Sequence, residues 1–240
     1  MNNKHLEATK AETTKGDVFG AHLLKGAEYD LESGWDIPYV DTPENLNLPE
    51  QLVGYNKSTY CECRENAYLH FYHKDHIFDG RMGIWFALVF NMFFKKGFRL
   101  EKLSGYRAII TPDFSMYYDM PIIMQMWNLF RSRVVGYYLT KLGYNVVVNV
   151  RWTDSRSYGY CFAGLRKNHI VAVSTLGCLR SNADKQLFLP GLEEFIKRIH
   201  PEYIILYGSL TPDIKRLFAK YEQQYVFFPS EISEIHGGGR

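Results

Sequence analysis

Six short apolar runs constrain the fold more than any other feature of this chain. They are "AYLHFY" (67–72), "YRAII" (106–110), "NVVVNV" (145–150), "HIVAVS" (169–174), "EYIILY" (202–207) and "YVFF" (225–228). Each is rich in β-branched or aromatic side chains and reads as a strand. The runs scarcely alternate apolar with polar, as expected of strands covered on both faces. Helical patterns lie between them. Strand, helix, strand in repetition predicts an α/β fold with a mostly parallel sheet and helical crossovers. An incomplete (β/α) barrel and an open doubly wound sheet both satisfy the pattern.

The helical segments are expected at 82–94, 120–142, 187–199 and 213–222. In the second, Asp119 is the candidate N-cap, Pro121 lies in the first turn and Gly143 ends the helix. Ile123, Met126, Leu129 or Phe130, Val134, Tyr138 and Leu142 form its expected buried stripe. In the last, Thr211 caps and Pro212 opens the helix. The link from 151 to 168 has room for a single helical turn around "YCFAGL". Residues 1–29 read as a mobile tail. Residues 30–66, interrupted by prolines, read as an irregular arm packed on the core, and 67–240 as the α/β core domain.

Charge excludes one class of function. The net charge is +2 over 240 residues, too small for a protein that coats DNA. The longest apolar run, "MGIWFALVFNMFF", is too short to span a bilayer, so no membrane partner is expected. The polar "MNNKHLEATKAETTKGD" lacks the apolar core of an export signal, so a cytoplasmic setting is expected. The "CEC" pair at Cys61 and Cys63 is too tight for a zinc site, and the cysteines read as reduced thiols.

Parallel sheets bind ligands at the carboxyl ends of their strands. The polar residues that trail the strands therefore form one candidate rim. Asp113 and Asp154 are the candidate acid/base pair. With Asp75 they are also candidate ligands for Mg²⁺. Ser115, Ser174, Thr175 and Tyr207 are candidate substrate contacts, Arg133 an anion clamp and Trp152 a stacking wall. Each has an ordinary reading too. Asp119 suits a helix cap, Asp113 a turn, Ser174 and Thr175 a helix start, and "HKDH" (73–76) a surface turn. Nucleophile-elbow, HExxH, GxGxxG and CxxC motifs do not occur.

At "IITPDFSMYYDMPIIMQMWNLFRSRVVGYYL" the chain resembles a bacterial and phage mobile-element family catalogued as domain of unknown function 4417. The resemblance continues through "WDIPY", "LVGYN", "VVVNVRW", "YGYCFAGL", "VAVSTLG" and "LPGLEEFIKRIHPEYIILYG". It implies one α/β domain in a mobile-element setting and carries no established activity. Two functions from different classes remain open. One is a hydrolase-like enzyme acting at the strand rim on a phosphorylated, nucleotide or nucleic-acid substrate. The other is a non-catalytic phage or plasmid accessory protein that binds a host protein or nucleic acid.

Overall fold

The computed structural model describes residues 19–92 and 97–230. A small antiparallel pair, β1 (Tyr29–Asp30) and β2 (Ile37–Pro38), lies in the arm. The main sheet has seven parallel strands: β3 (Gln51–Gly54), β4 (Ala67–His70), β5 (Ala108–Ile110), β6 (Val146–Asn149), β7 (Val171–Ser174), β8 (Ile204–Gly208) and β9 (Tyr225–Pro229). Their order in space is their order in the chain, and the sheet curls until it nearly closes into a barrel. The incomplete-barrel alternative is therefore the one realised. β3 and β9 are the two edges that flank the remaining gap.

Barrel closure explains why the strand runs do not alternate. Leu69, Phe71, Ile109, Val146, Val148, Val171, Val173, Ile204 and Leu206 face outward and pack under the helices. Tyr68, Tyr72, Ala108, Ile110, Val147, Ala172, Ile205 and Tyr207 fill the interior. Both faces are dry, so both are apolar. Leu46 and Leu48 of the arm pack against this inner cluster, and the Tyr68 hydroxyl donates to the Asn47 carbonyl. The arm thus stoppers the barrel at the amino ends of its strands and leaves the other end open.

Around the barrel lie α1 (Ile84–Val89), α2 (Ile122–Lys141), α3 (Tyr158–Cys161), α4 (Asn182–Ile199) and α5 (Pro212–Lys220). α3 is the single turn expected in the 151–168 link. Four elements differ from the sequence reading. β3 lies inside the arm. It is short, and its side chains are only partly buried because it is an edge strand. α1 is confined to six residues, and residues 93 and 94 of the expected helix lie outside those described. α4 starts earlier, at Asn182, behind a capping box in which Ser181 accepts from the Asp184 amide and Asp184 from that of Ser181. The expected tail, 1–29, falls partly outside the described residues. From residue 19 it carries a 3-10 turn (Ala21–Leu24) whose Leu23 is buried.

The buried face of α2 keeps most of the expected stripe and adds polar positions to it. Leu129 and Val134 are buried as expected, and Met126, Phe130, Tyr138 and Leu142 pack partly buried on the core. Gln125, Ser132, Arg133, Val135, Gly136 and Leu139 are buried as well, and Ile123 is 70% exposed. The polar members are tolerated because each is hydrogen-bonded. Gln125 donates to the Met120 carbonyl and accepts from the Thr153 and Tyr160 hydroxyls. Ser132 donates to the Pro112 carbonyl, and Arg133 to the carbonyls of Asn149 and Cys161. Gly136 admits the Thr111 methyl, which would stand 2.6 Å from any Cβ there. α2 therefore braces the segments that leave β5 and β6, where the open end of the barrel is built.

Candidate functional site

A hollow of about 870 Å³ occupies that open end, within the range of small-molecule sites. It is lined by segments that follow β4 (Tyr72, His73, Lys74), β5 (Asp113, Ser115, Tyr117–Asp119), β6 (Arg151–Thr153), β7 (Leu176–Cys178, Arg180) and β9 (Ser230). Period-two alternation aims its floor. Asn149 and Arg151 stand two residues apart, on the side opposite the outward-facing Val148.

The floor is a chain of hydrogen bonds. The Tyr72 hydroxyl donates to Asn149 Oδ1 at 3.1 Å, and Asn149 Nδ2 donates to Asp113 Oδ1 at 2.9 Å. Arg151 Nη1 donates to Asp113 Oδ2 at 3.0 Å, completing a charge-assisted pair with little solvent around either side chain. Burial pushes the Asp113 carboxyl above the usual aspartate value, while Arg151 and the Asn149 amide pull it back. The Asp113 carboxylate holds Arg151 firmly protonated. Burial also raises the Tyr72 phenol well above its ordinary range, with the Asp113 charge adding to the effect. Among the described residues the buried Nε of Arg151 has no hydrogen-bond partner. The pair thus joins a carboxyl adjusted toward neutral pH to a cation with unused donors, at the bottom of an accessible hollow.

Under this floor His70 stacks with Tyr72, and Tyr207 lies parallel to Tyr72 at 5.0 Å. His70 is fully buried, and burial lowers its pKa to about 3, so it is neutral and its Nδ1 accepts from the Tyr72 amide.

Of the residues the sequence singles out, Asp113, Ser115, Trp152 and Asp119 line the hollow together. Asp119 is not the expected cap of α2, whose N-cap is Pro121 with no side-chain cap bond. Ser115 lines the hollow within a latch: its amide and hydroxyl both donate to Asp75, the hydroxyl at 2.7 Å. Trp152 lies along the Phe188–Gly191–Phe195 stripe of α4, stacked on both phenyl rings, with its Nε1 donating to the Phe188 carbonyl. A Cβ at Gly191 would stand 2.1 Å from that nitrogen. The indole is only 6% exposed, so its faces are largely occupied within the protein.

The others do not line the hollow. Asp154 caps a 3-10 turn (Ser155–Ser157) and pairs with Arg156 at 2.7 Å, which holds its carboxyl below the usual value. Arg133 is wholly buried on the helix side of β6, with its charge spent on two backbone carbonyls. Ser174 accepts from the Leu176 amide in a local turn. Thr175 accepts from the Ser209 amide at 2.6 Å and ties β7 to β8. That close approach needs Gly208, whose φ is +118° and whose Cβ would meet Thr175 Oγ1. Tyr207 belongs to the stack beneath the floor.

The carboxylates proposed for Mg²⁺ do not gather. Asp113 is held by Asn149 and Arg151, Asp75 by Ser115 and Asp154 by Arg156. Among the described residues no three His, Cys, Asp or Glu side chains form a cluster that could hold a metal ion. The donor set therefore does not fit a shared Mg²⁺ site.

Sequence reasoning missed Asn149 and Tyr72 as site residues. One signal was present: Asn149 interrupts "VVVNV", a polar residue within a run otherwise apolar on both faces. Arg151 and Lys74 belong to the polar rim by their place just after β6 and β4, but position alone assigned them no role, and Arg180 carried no signal.

Comparison with known proteins places the chain among phage sequences. The family model described as "Domain of unknown function (DUF4417)" matches residues 29–225. The "Gene 1 protein" of Mycobacterium phage L5 is 29% identical over 184 residues, 76% of this chain and 75% of that protein. The "Gene 1 protein" of Mycobacterium phage D29 is also 29% identical over 184 residues, 63% of its own length. No solved structure matches the chain. No helix among the described residues is long and apolar enough to cross a membrane.

Proposed function

This chain belongs to the DUF4417 family, and from the geometry of its barrel mouth we propose that the mouth is the reaction site of a hydrolase acting on a phosphate-bearing substrate. The observation that carries the reading is the buried pair of Asp113 and Arg151, floored by Asn149 and Tyr72 and open to one hollow. Asp113 serves as general base. Its ionised carboxyl takes a proton from a water molecule as the water oxygen bonds to the electrophilic centre. The leaving group departs with the electron pair of the broken bond. A raised pKa suits this role, because a base works best near the working pH. Arg151 places its remaining donors against the substrate's anionic group, which a guanidinium recognises in its plane. Asn149 and Tyr72 orient the carboxyl. Lys74 and Arg180 at the lip supply further cationic donors, beside the carboxylates of Asp119 and Asp184.

A thermal-shift screen of the full chain with phosphate esters, sugar phosphates and nucleotides tests the reading. A specific ligand raises the melting temperature by mass action. The rise is expected in the native chain and not in Arg151→Gln. A screen with no ligand that separates the two chains would refute it.

A second reading, a non-catalytic accessory protein, draws on one feature. Ile122, Ile123 and Met124, beside the mouth, are 38%, 70% and 51% exposed. A contiguous apolar strip of this kind suits docking to another protein.

A further inference from the structure

Two tyrosines at the mouth are neither buried nor loose. Tyr117 and Tyr118 are each 56% exposed, and both line the hollow. Their loop is pinned at several points. Asp75 takes the amide and hydroxyl of Ser115, and Asn128 Nδ2 donates to the Ser115 carbonyl at 2.6 Å. On the far side, Arg156, oriented by Asp154, donates to the Tyr118 carbonyl at 3.0 Å. Gln125 donates to the Met120 carbonyl at 2.8 Å. The rings are therefore presented by backbone that is already ordered, so little freedom is lost when a ligand covers them.

Three cations, Lys74, Arg151 and Arg180, share that hollow with the carboxylates of Asp113, Asp119 and Asp184. Of these, Asp113 is paired with Arg151 and Asp184 serves the capping box of α4. Among the described residues neither Lys74 nor Arg180 has an ion-pair partner, and Arg151 keeps donors beyond those given to Asp113. Tyr117 is close enough to Arg151 for its phenol to act on the guanidinium electrostatically. Two exposed aromatic rings and cationic donors in one cavity suit a ligand with a planar ring at one end and a phosphate at the other.

We infer that the ligand of this mouth is a free mononucleotide, with its base on Tyr117 and Tyr118 and its phosphate at Arg151, Lys74 and Arg180. The inference rests on the reading of the mouth as a site for phosphate-bearing substrates. Stacking on tyrosine tolerates any base, because every base has a π-face. A nucleic-acid strand is disfavoured. Strand binders track the backbone with a groove of cations, whereas this chain has a net charge of +2 and a hollow whose three cations, Lys74, Arg151 and Arg180, are interspersed with the carboxylates of Asp113, Asp119 and Asp184.

Calorimetric titration of the full chain tests it, with ribose 5-phosphate, the common nucleoside monophosphates and a mixed-sequence oligonucleotide as probes. Nucleoside monophosphates are expected to bind roughly tenfold or more tighter than ribose 5-phosphate, in line with base stacking on an aromatic ring. The Tyr117→Ala/Tyr118→Ala chain should lose that advantage and keep its affinity for ribose 5-phosphate. A melting curve matching the native one shows that it remains folded. Equal affinities for ribose 5-phosphate and nucleotides in the native chain would overturn the inference and leave the hydrolase reading intact. Binding of no phosphate compound would overturn both. An oligonucleotide that binds more tightly than every mononucleotide would replace the free nucleotide by a strand.

Discussion

Arg151 Nη1 lies 3.0 Å from Asp113 Oδ2, joining the segments that leave two neighbouring strands of the barrel. Both groups have side chains less than a fifth exposed. Breaking one partner of such a pair strands the other charge in a poorly solvated place, at about 1–3 kcal/mol, more where burial is complete. Arg151→Gln should lower stability by that order, and Asp113→Asn by less, because burial already disfavours the ionised carboxyl that Asn replaces. The double variant should lose less than the sum, with a coupling of about 1 kcal/mol or more. Urea denaturation of all four chains measures it, and strict additivity would deny the pair any energetic link.

The pH dependence of turnover should report Asp113. A base whose carboxyl is raised by burial loses its proton only above the usual aspartate range. Activity should therefore rise with pH through a group titrating above that range, and Asp113→Asn should remove the step. The same shift acts on stability with a definite sign. The folded chain binds this proton more tightly than the unfolded chain does. Asp113 thus favours folding below its unfolded pKa, and that contribution is lost as pH rises through the folded value.

His70 works in the opposite direction. Its pKa falls from 6.5 to about 3 because the ring is buried. The unfolded chain takes up a proton between those values while the folded chain does not. Stability should therefore be complete above pH 6.5 and decline as pH falls toward 3, by on the order of a few kcal/mol in total. Acid unfolding of His70→Asn against the native chain isolates the contribution. An unchanged midpoint would contradict the buried neutral ring.

Trp152 should be sensitive to a single methyl group on the neighbouring helix. A Cβ at position 191 would overlap the indole nitrogen. Gly191→Ala should destabilise by roughly 1–3 kcal/mol, as overpacked cores do. It should also change the tryptophan fluorescence, because the indole must leave its place against Phe188 and Phe195. A melting temperature within a degree of the native value would place the indole elsewhere.

The strands were legible because dry faces on both sides leave unbroken apolar runs. Closure into a barrel was not, since a crossover pattern fits either face of an open sheet equally well. The edge strand Gln51–Gly54 escaped notice because half-buried side chains between prolines carry little signal. At the site, Asp113 was legible as an acid at a strand end. Asp154 followed the same rule and went elsewhere, since the "DSR" sequence offers it a local amide and the guanidinium of Arg156. Arg133 resembled an anion clamp only while the face of α2 was unknown. That face turns inward with its polar residues hydrogen-bonded to backbone carbonyls and, for Gln125, to the Thr153 and Tyr160 hydroxyls, an arrangement no apolar periodicity announces.

Turnover of a panel of nucleotides and phosphate esters by the native chain and by Asp113→Asn tests the central claim most directly. The account predicts that the native chain hydrolyses at least one of them. It further predicts a rate in Asp113→Asn lower by roughly 100-fold or more, the usual contribution of a general base, in a chain whose circular dichroism is unchanged. Equal rates in the two chains, or no hydrolysis of any compound by the native chain, would contradict it.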